Sequence, residues 1–114
     1  MRRLEKIFKA AGDRNRLRIL KILEVKPMCV CEITEIVGIA QSSVSRHLSI
    51  LRDAGFLTDE KVGLWVNYSL ITEEDGVVTP LLKCIRQWEL SDAQFQEDKR
   101  KAALVDRNMI CRRP

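Results

Sequence analysis

Residues 39–55 read Ile39-Ala40-Gln41-Ser42-Ser43-Val44-Ser45-Arg46-His47-Leu48-Ser49-Ile50-Leu51-Arg52-Asp53-Ala54-Gly55, and this stretch decides the fold. At the helical period Val44, Leu48 and Leu51 share one face, while Ser42, Ser45, Arg46, Ser49 and Asp53 gather on the other. A helix of this kind buries its aliphatic side and leaves short hydroxyls and an arginine outside. Small side chains let a backbone approach closely, and Gln or Arg pairs with base edges or phosphates, so the outer face suits the DNA major groove. The same face reads equally well as a plain solvated surface, and the surroundings have to decide.

Upstream, Leu4, Ile7, Phe8 and Ala11 are spaced as a short amphipathic helix. Asp13 is a suitable cap for a second helix running to about Val25, which Lys26-Pro27 ends. A third helix fits Cys31 to Val37 and is closed by Gly38, after which Gln41 opens the fourth. Two helices joined by a short glycine-containing turn, the second with a polar outer face, make a helix-turn-helix. Downstream the period changes to two: Leu64, Val66, Tyr68 and Leu70 alternate with Trp65, Asn67 and Ser69, and Val62-Gly63 reads as a hairpin turn. A lone hairpin is marginal, so this wing has to pack on the helices.

Beyond Thr72 to Asp75, the residues Val77, Val78, Leu81, Leu82, Cys84, Ile85 and Trp88 form an apolar stripe too wide for a surface helix. A second copy of the chain is the economical cover, with the first helix joining it, and a two-fold dimer matches a palindromic site. The expected architecture is thus mainly α with a two-stranded β wing: a winged helix-turn-helix, homodimeric, in one domain spanning 1–114. Within it, 1–11 and 76–100 are dimerisation helices, 31–55 the helix-turn-helix, 56–71 the wing and 101–114 a flexible tail.

Charge and cysteines narrow the function. Residues 1–58 hold 11 Lys/Arg against 6 Asp/Glu, whereas 59–114 hold 9 against 10, so the basic excess lies in the half that contains the candidate recognition helix, which is compatible with a polyanionic partner. No apolar run approaches the roughly 18 residues of a membrane span, and no apolar signal segment follows the basic N-terminus, which points to the cytoplasm. In a reducing compartment the four cysteines, Cys29, Cys31, Cys84 and Cys111, read as thiol chemistry, metal ligation or plain burial. Cys29 and Cys31 are the informative pair. Soft thiolates select As(III), Sb(III), Cd(II), Pb(II) or Zn(II) over hard cations. Their place at a helix start is expected to lower the thiol pKa. Residues two apart on a helix diverge by about 200°, so chelation is expected to reshape the first turn. Cys84 falls in the apolar stripe and reads mainly as packing. His47, the only histidine, lies on the flank of the recognition helix, where a phosphate contact or local hydrogen bond suits it.

These stretches together resemble the ArsR/SmtB family of winged helix-turn-helix repressors, and more closely its arsenic-responsive members. The matching residues are Ala11-Gly12-Asp13-Arg14-Asn15-Arg16-Leu17-Arg18-Ile19-Leu20, Met28-Cys29-Val30-Cys31-Glu32-Ile33, Gln41 to Leu48, Leu51 to Gly55, and Lys61, Gly63, Trp65, Val66 and Tyr68 of the wing. The resemblance implies a dimer that sits on double-stranded operator DNA and is released by As(III) or Sb(III) bound to Cys29 and Cys31, with no organic cofactor, membrane or protein partner. Gln41, Ser42, Ser43, Ser45, Arg46, His47 and Lys61 then face DNA. Two departures stand out. Thr34 occupies the place where such relatives often carry a third cysteine, leaving Cys111, or less readily Cys84, as a third ligand. Leu64 follows the wing glycine where a basic residue is common. Other readings are a redox or sulfur-species sensor, or a Cd(II), Pb(II) or Zn(II) sensor, on the same fold. A thiol oxidoreductase would need the pair at a strand-to-helix junction, which the pattern lacks, so no enzymatic activity is expected.

Overall fold

The computed structural model describes residues 1–88 and 92–107. Its elements, in chain order, are α1 (Arg2–Ala11), α2 (Arg14–Ile22), α3 (Val30–Val37), α4 (Gln41–Asp53), β1 (Leu57–Val62), β2 (Trp65–Leu70), α5 (Val78–Gln87) and α6 (Ala93–Leu104). The core is aliphatic: Ile7 of α1, Ile19, Leu20 and Ile22 of α2, Ile33 and Ile36 of α3, and Val44, Leu48 and Leu51 of α4 meet beneath Phe56. The inner face assigned to α4 is therefore buried, and Ser42, Ser45, Arg46 and Asp53 lie outside.

Caps set the boundaries. The Asp13 carboxylate accepts from the backbone N–H groups of Asn15 and Arg16 at 2.9 and 3.1 Å and starts α2. Gly38, at φ 76°, closes α3 in the left-handed conformation that glycine adopts without strain. α2 stops at Ile22 rather than near Val25, because the amides of Glu24 and Val25 bond three residues back, to Lys21 and Ile22.

The antiparallel hairpin pairs Leu57 with Leu70 through Val62 with Trp65. Its two-residue loop is Gly63-Leu64, one position later than the sequence suggests. Gly63 has φ 61° and Leu64 does not share the positive φ, the pattern of a type II′ turn. Backbone hydrogen bonds attach the hairpin at two places. Met28 and Tyr68 exchange backbone hydrogen bonds of 3.1 and 2.8 Å, and the Ile71 amide reaches the Phe56 carbonyl at 3.0 Å.

The stretch 76–100 is two helices, not one. α5 buries Val78 and half-buries Leu81, Leu82 and Ile85, yet leaves Cys84 and Trp88 exposed. α6 folds back on α2 and α3 of its own chain and continues to Leu104, into the stretch expected to be a flexible tail, of which residues 108–114 lie outside the described residues. Phe95, Asp98 and Ala102 face inward, one turn apart. The aspartate pairs with Arg18, Nε to Oδ2 at 2.8 Å and Nη2 to Oδ1 at 3.0 Å, in full burial. A thin apolar stripe interrupted by a charge gives no amphipathic signal, although here the charge is what docks the helix.

Candidate nucleic-acid interface and thiol site

α4 presents Gln41, Ser42, Ser45 and Arg46 to solvent, with Ser43 half-buried beside them. Its N-cap, Ala40, offers no side-chain acceptor; its carbonyl takes the Ser43 amide at 3.0 Å, and the Gln41 and Ser42 N–H groups open the helix. Lys61 is exposed on β1. On the same strand, Asp59 accepts from Arg52 Nη1 at 2.9 Å.

His47 departs from the expected face. It is 6% exposed and lies on the inner side of α4, where Arg16 Nη1 approaches its Nδ1 at 3.0 Å. A guanidinium only donates, so Nδ1 accepts and the neutral ring carries its proton on Nε2. Burial, and after it the cations of Arg16 and Arg46, hold the His47 pKa below the usual histidine value against the opposing pull of Asp13. The same Arg16 donates through Nε to the Ala10 carbonyl at 2.7 Å and through Nη2 to the Lys9 carbonyl at 3.3 Å. Arg16 thus fastens the end of α1 to the middle of the recognition helix. Of the two roles expected for His47, a phosphate contact or a local hydrogen bond, the structure shows the local hydrogen bond.

The thiol pair stands at the start of α3, but the two cysteines are not equivalent. Cys29 is the N-cap, with φ −87° and ψ 170°, and the helix begins at Val30. The 200° divergence of helical positions two apart therefore does not govern this pair, since one member lies outside the helix. A different constraint replaces it. The Cys29 side chain accepts from the Glu32 backbone amide, and its own amide donates to Glu32 Oε1 at 3.0 Å, a reciprocal capping box. Cys29 is 2% exposed, whereas Cys31 is half-buried. Burial pushes the Cys29 thiol pKa up, helped by the Glu32 carboxylate, and outweighs the Glu32 amide and Arg107. The lowering expected from a helix N-terminus does not hold for this residue, because desolvation of the thiolate dominates.

Glu32 and Arg107 were not visible as site residues in the sequence. Glu32 Oε1, which takes the Cys29 amide, also takes Arg107 Nη2 at 3.1 Å. That nitrogen reaches Asn67 Oδ1 at 2.5 Å, and the guanidinium lies 5.2 Å from the Trp65 ring centroid. Cys84 is exposed on α5, and Cys111 lies outside the described residues. Among the described residues no group of three or more His, Cys, Asp and Glu side chains could hold a metal ion. Cys29 and Cys31 bring two soft sulfurs to the start of α3, the donor type that suits a thiophilic ligand.

A helix-turn-helix whose second helix exposes hydroxyls and an arginine, backed by a hairpin, defines a winged helix-turn-helix DNA-binding domain. The profile of the bacterial regulatory protein arsR family matches residues 13–59. The arsenical resistance operon repressor of Bacillus subtilis strain 168 is 41% identical over 87 residues, 75% of this chain and 83% of that protein. The chain belongs to the arsR family of bacterial transcriptional regulators. Among solved structures, HlyU from Vibrio cholerae N16961 superposes with a TM-score of 0.62 at 26% identity, covering 73% of this chain and 87% of that one. A homodimeric winged helix-turn-helix DNA-binding domain from Mycobacterium bovis shares the fold at a TM-score of 0.64 and 21% identity, covering 74% and 75%. No helix among the described residues is long and apolar enough to cross a membrane.

Proposed function

We propose that this chain is a dimeric repressor that occupies operator DNA and is released when Cys29 and Cys31 capture As(III) or Sb(III). One observation carries the reading: Cys29 is at once a soft donor and the N-cap of α3. A metalloid on its sulfur competes with the Glu32 amide for the same atom. Each As–S bond formed from arsenous acid replaces an As–OH bond, and the thiol proton leaves with that hydroxide as water. The likeness to an arsenical resistance operon repressor supports the choice of metalloid.

α3 leads through Gly38 into α4, so loss of its cap is felt by the recognition helix. Gln41, Ser42, Ser43, Ser45 and Arg46 meet the major groove, and Lys61 meets the backbone. A second copy covers the face formed by Leu4 and Phe8 of α1 and Cys84 and Trp88 of α5, where Phe8 is 54% and Trp88 59% exposed. A homodimeric winged-helix domain of the same fold supports a dimer. The third position on the metalloid goes to Cys111, or to a hydroxide or small thiol from solution. This function places the protein in the cytoplasm.

Coupling of this kind is worth about 1 to 3 kcal/mol, roughly 5- to 150-fold in operator affinity. Fluorescence anisotropy on an operator duplex tests it, with As(III), Sb(III), Cd(II) and Zn(II) as arms. Wild-type protein is released by As(III) and a Cys29→Ser, Cys31→Ser variant stays bound. Release of that variant by As(III) contradicts the proposal.

A further inference from the structure

The guanidinium of Arg107 closes a continuous polar path between the thiol-bearing cap and the wing. From one end, the Cys29 amide donates to Glu32 Oε1 at 3.0 Å, and Arg107 Nη2 meets that same oxygen at 3.1 Å. From the other, Nη2 donates to Asn67 Oδ1 at 2.5 Å, while the planar group covers the Trp65 ring. Arg107 is 18% exposed and Glu32 4% exposed at the side chain, so the ion pair is shielded from water and salt. The carboxylate is the pivot: it holds the cap's backbone and the arginine by one atom.

The anchor of this arginine is itself built. Lys26 Nζ bonds the Val105 carbonyl at 3.0 Å, two residues before Arg107, and α6 is docked by the buried Arg18–Asp98 pair. Arg107 is therefore delivered to the cap by a fixed element. Both wing partners are on β2, on the side of the hairpin opposite the more exposed Leu64 and Val66.

We infer that Arg107 is a positioning residue that transmits capture at Cys29 to the wing. The inference rests on the function proposed above. When Cys29 leaves the capping box, Glu32 Oε1 loses its backbone donor and the carboxylate is free to turn. Arg107 follows its counter-ion, and Asn67 and Trp65 lose the group that holds β2 against the body of the domain. A second link, the Met28–Tyr68 backbone pair, joins the same regions without Arg107. The experiment has to separate the two.

The test uses full-length protein on operator DNA with and without As(III), in wild type, Arg107→Gln, Arg107→Lys and Asn67→Ala. Substitutions along a coupling route change coupling by about 2- to 30-fold. The As(III)-driven loss of affinity should shrink by a factor in that range in Arg107→Gln and Asn67→Ala, while each variant still consumes the same number of thiols per As(III). Arg107→Lys keeps the charge but not the fork or the stacking, and should restore coupling only in part. Because the two residues share one path, the double variant should be no less coupled than Arg107→Gln alone. With 5-fluorotryptophan, the Trp65 resonance should shift on As(III) addition in wild type and stay fixed in Arg107→Gln.

A purely structural Arg107 would lower the melting temperature and weaken operator binding equally with and without As(III), leaving their ratio at the wild-type value. That result overturns the inference and assigns transmission to Met28–Tyr68. If wild type binds As(III) but is not released, the function proposed above fails first and takes this inference with it.

Discussion

Replacing Cys29 by serine or by alanine separates its role as a cap from its role as a ligand, and only the alanine variant should lose stability and operator affinity. Serine is among the preferred N-cap residues, and its hydroxyl accepts the Glu32 amide as the sulfur does. Alanine provides no acceptor. It costs the cap, about 1 kcal/mol, by leaving the buried Glu32 amide without its partner. At roughly 4 °C per kcal/mol for a domain of this size, the Ala variant should melt about 4 °C below the Ser variant. Operator affinity should follow. Cys29→Ser should bind as tightly as wild type and ignore As(III), whereas Cys29→Ala should bind more weakly with no As(III) present, because it already lacks the cap that the metalloid removes. Thermal melts and operator anisotropy on the same samples provide the comparison. Equal melting temperatures and equal operator affinities for the two variants would refute the idea that the cap links thiol to DNA.

Other consequences are accessible to simpler measurements. Arg46→Ala, present in both protomers of a dimer, should flatten the log–log salt dependence of operator binding by about 1.8, at about 0.9 per lost phosphate contact; an unchanged slope removes Arg46 from the backbone contacts. His47 has its pKa held below the unfolded value, so the unfolded chain binds the extra proton first and stability falls as pH drops from about 6.5 through the folded pKa. His47→Gln should therefore lose less melting temperature than wild type between pH 7.5 and 5.5, and parallel losses would contradict the pairing with Arg16. Asp98→Ala strands the buried Arg18 and should cost about 3 to 5 kcal/mol by denaturant unfolding; a loss under 1 kcal/mol would mean α6 is not docked by that pair. Residue-resolved alkylation at pH 7.5 should label half-buried Cys31 faster than Cys29, since burial raises the Cys29 pKa as well as shielding it.

The parts of this molecule that were legible in its sequence are those written in a local period. The inner stripe Val44, Leu48 and Leu51, the glycine after α3 and the alternation of the wing all repeat within a few residues, and each element formed where its pattern lay. The Cys-Val-Cys spacing was equally visible as chemistry. What escaped were features set by contacts distant in sequence. Cys29 turned out to be a cap, and its pKa moved up rather than down, because Met28 pairs with β2 and draws the following residue under cover. His47 was turned inward by Arg16, 31 residues away. Asp98 and Arg107 answer Arg18 and Glu32 across long separations, and such ion pairs leave no periodic trace. The loop of the hairpin moved by one position because Gly63 takes the first place of a type II′ turn.

Filling the two sulfurs should undo the cap of α3, and amide hydrogen exchange at Glu32 reports on that bond directly. With As(III) bound at one equivalent per protomer, the Glu32 amide should lose its protection while the core amides of α2 keep theirs. Full protection at Glu32 with As(III) bound to both Cys29 and Cys31 would contradict it.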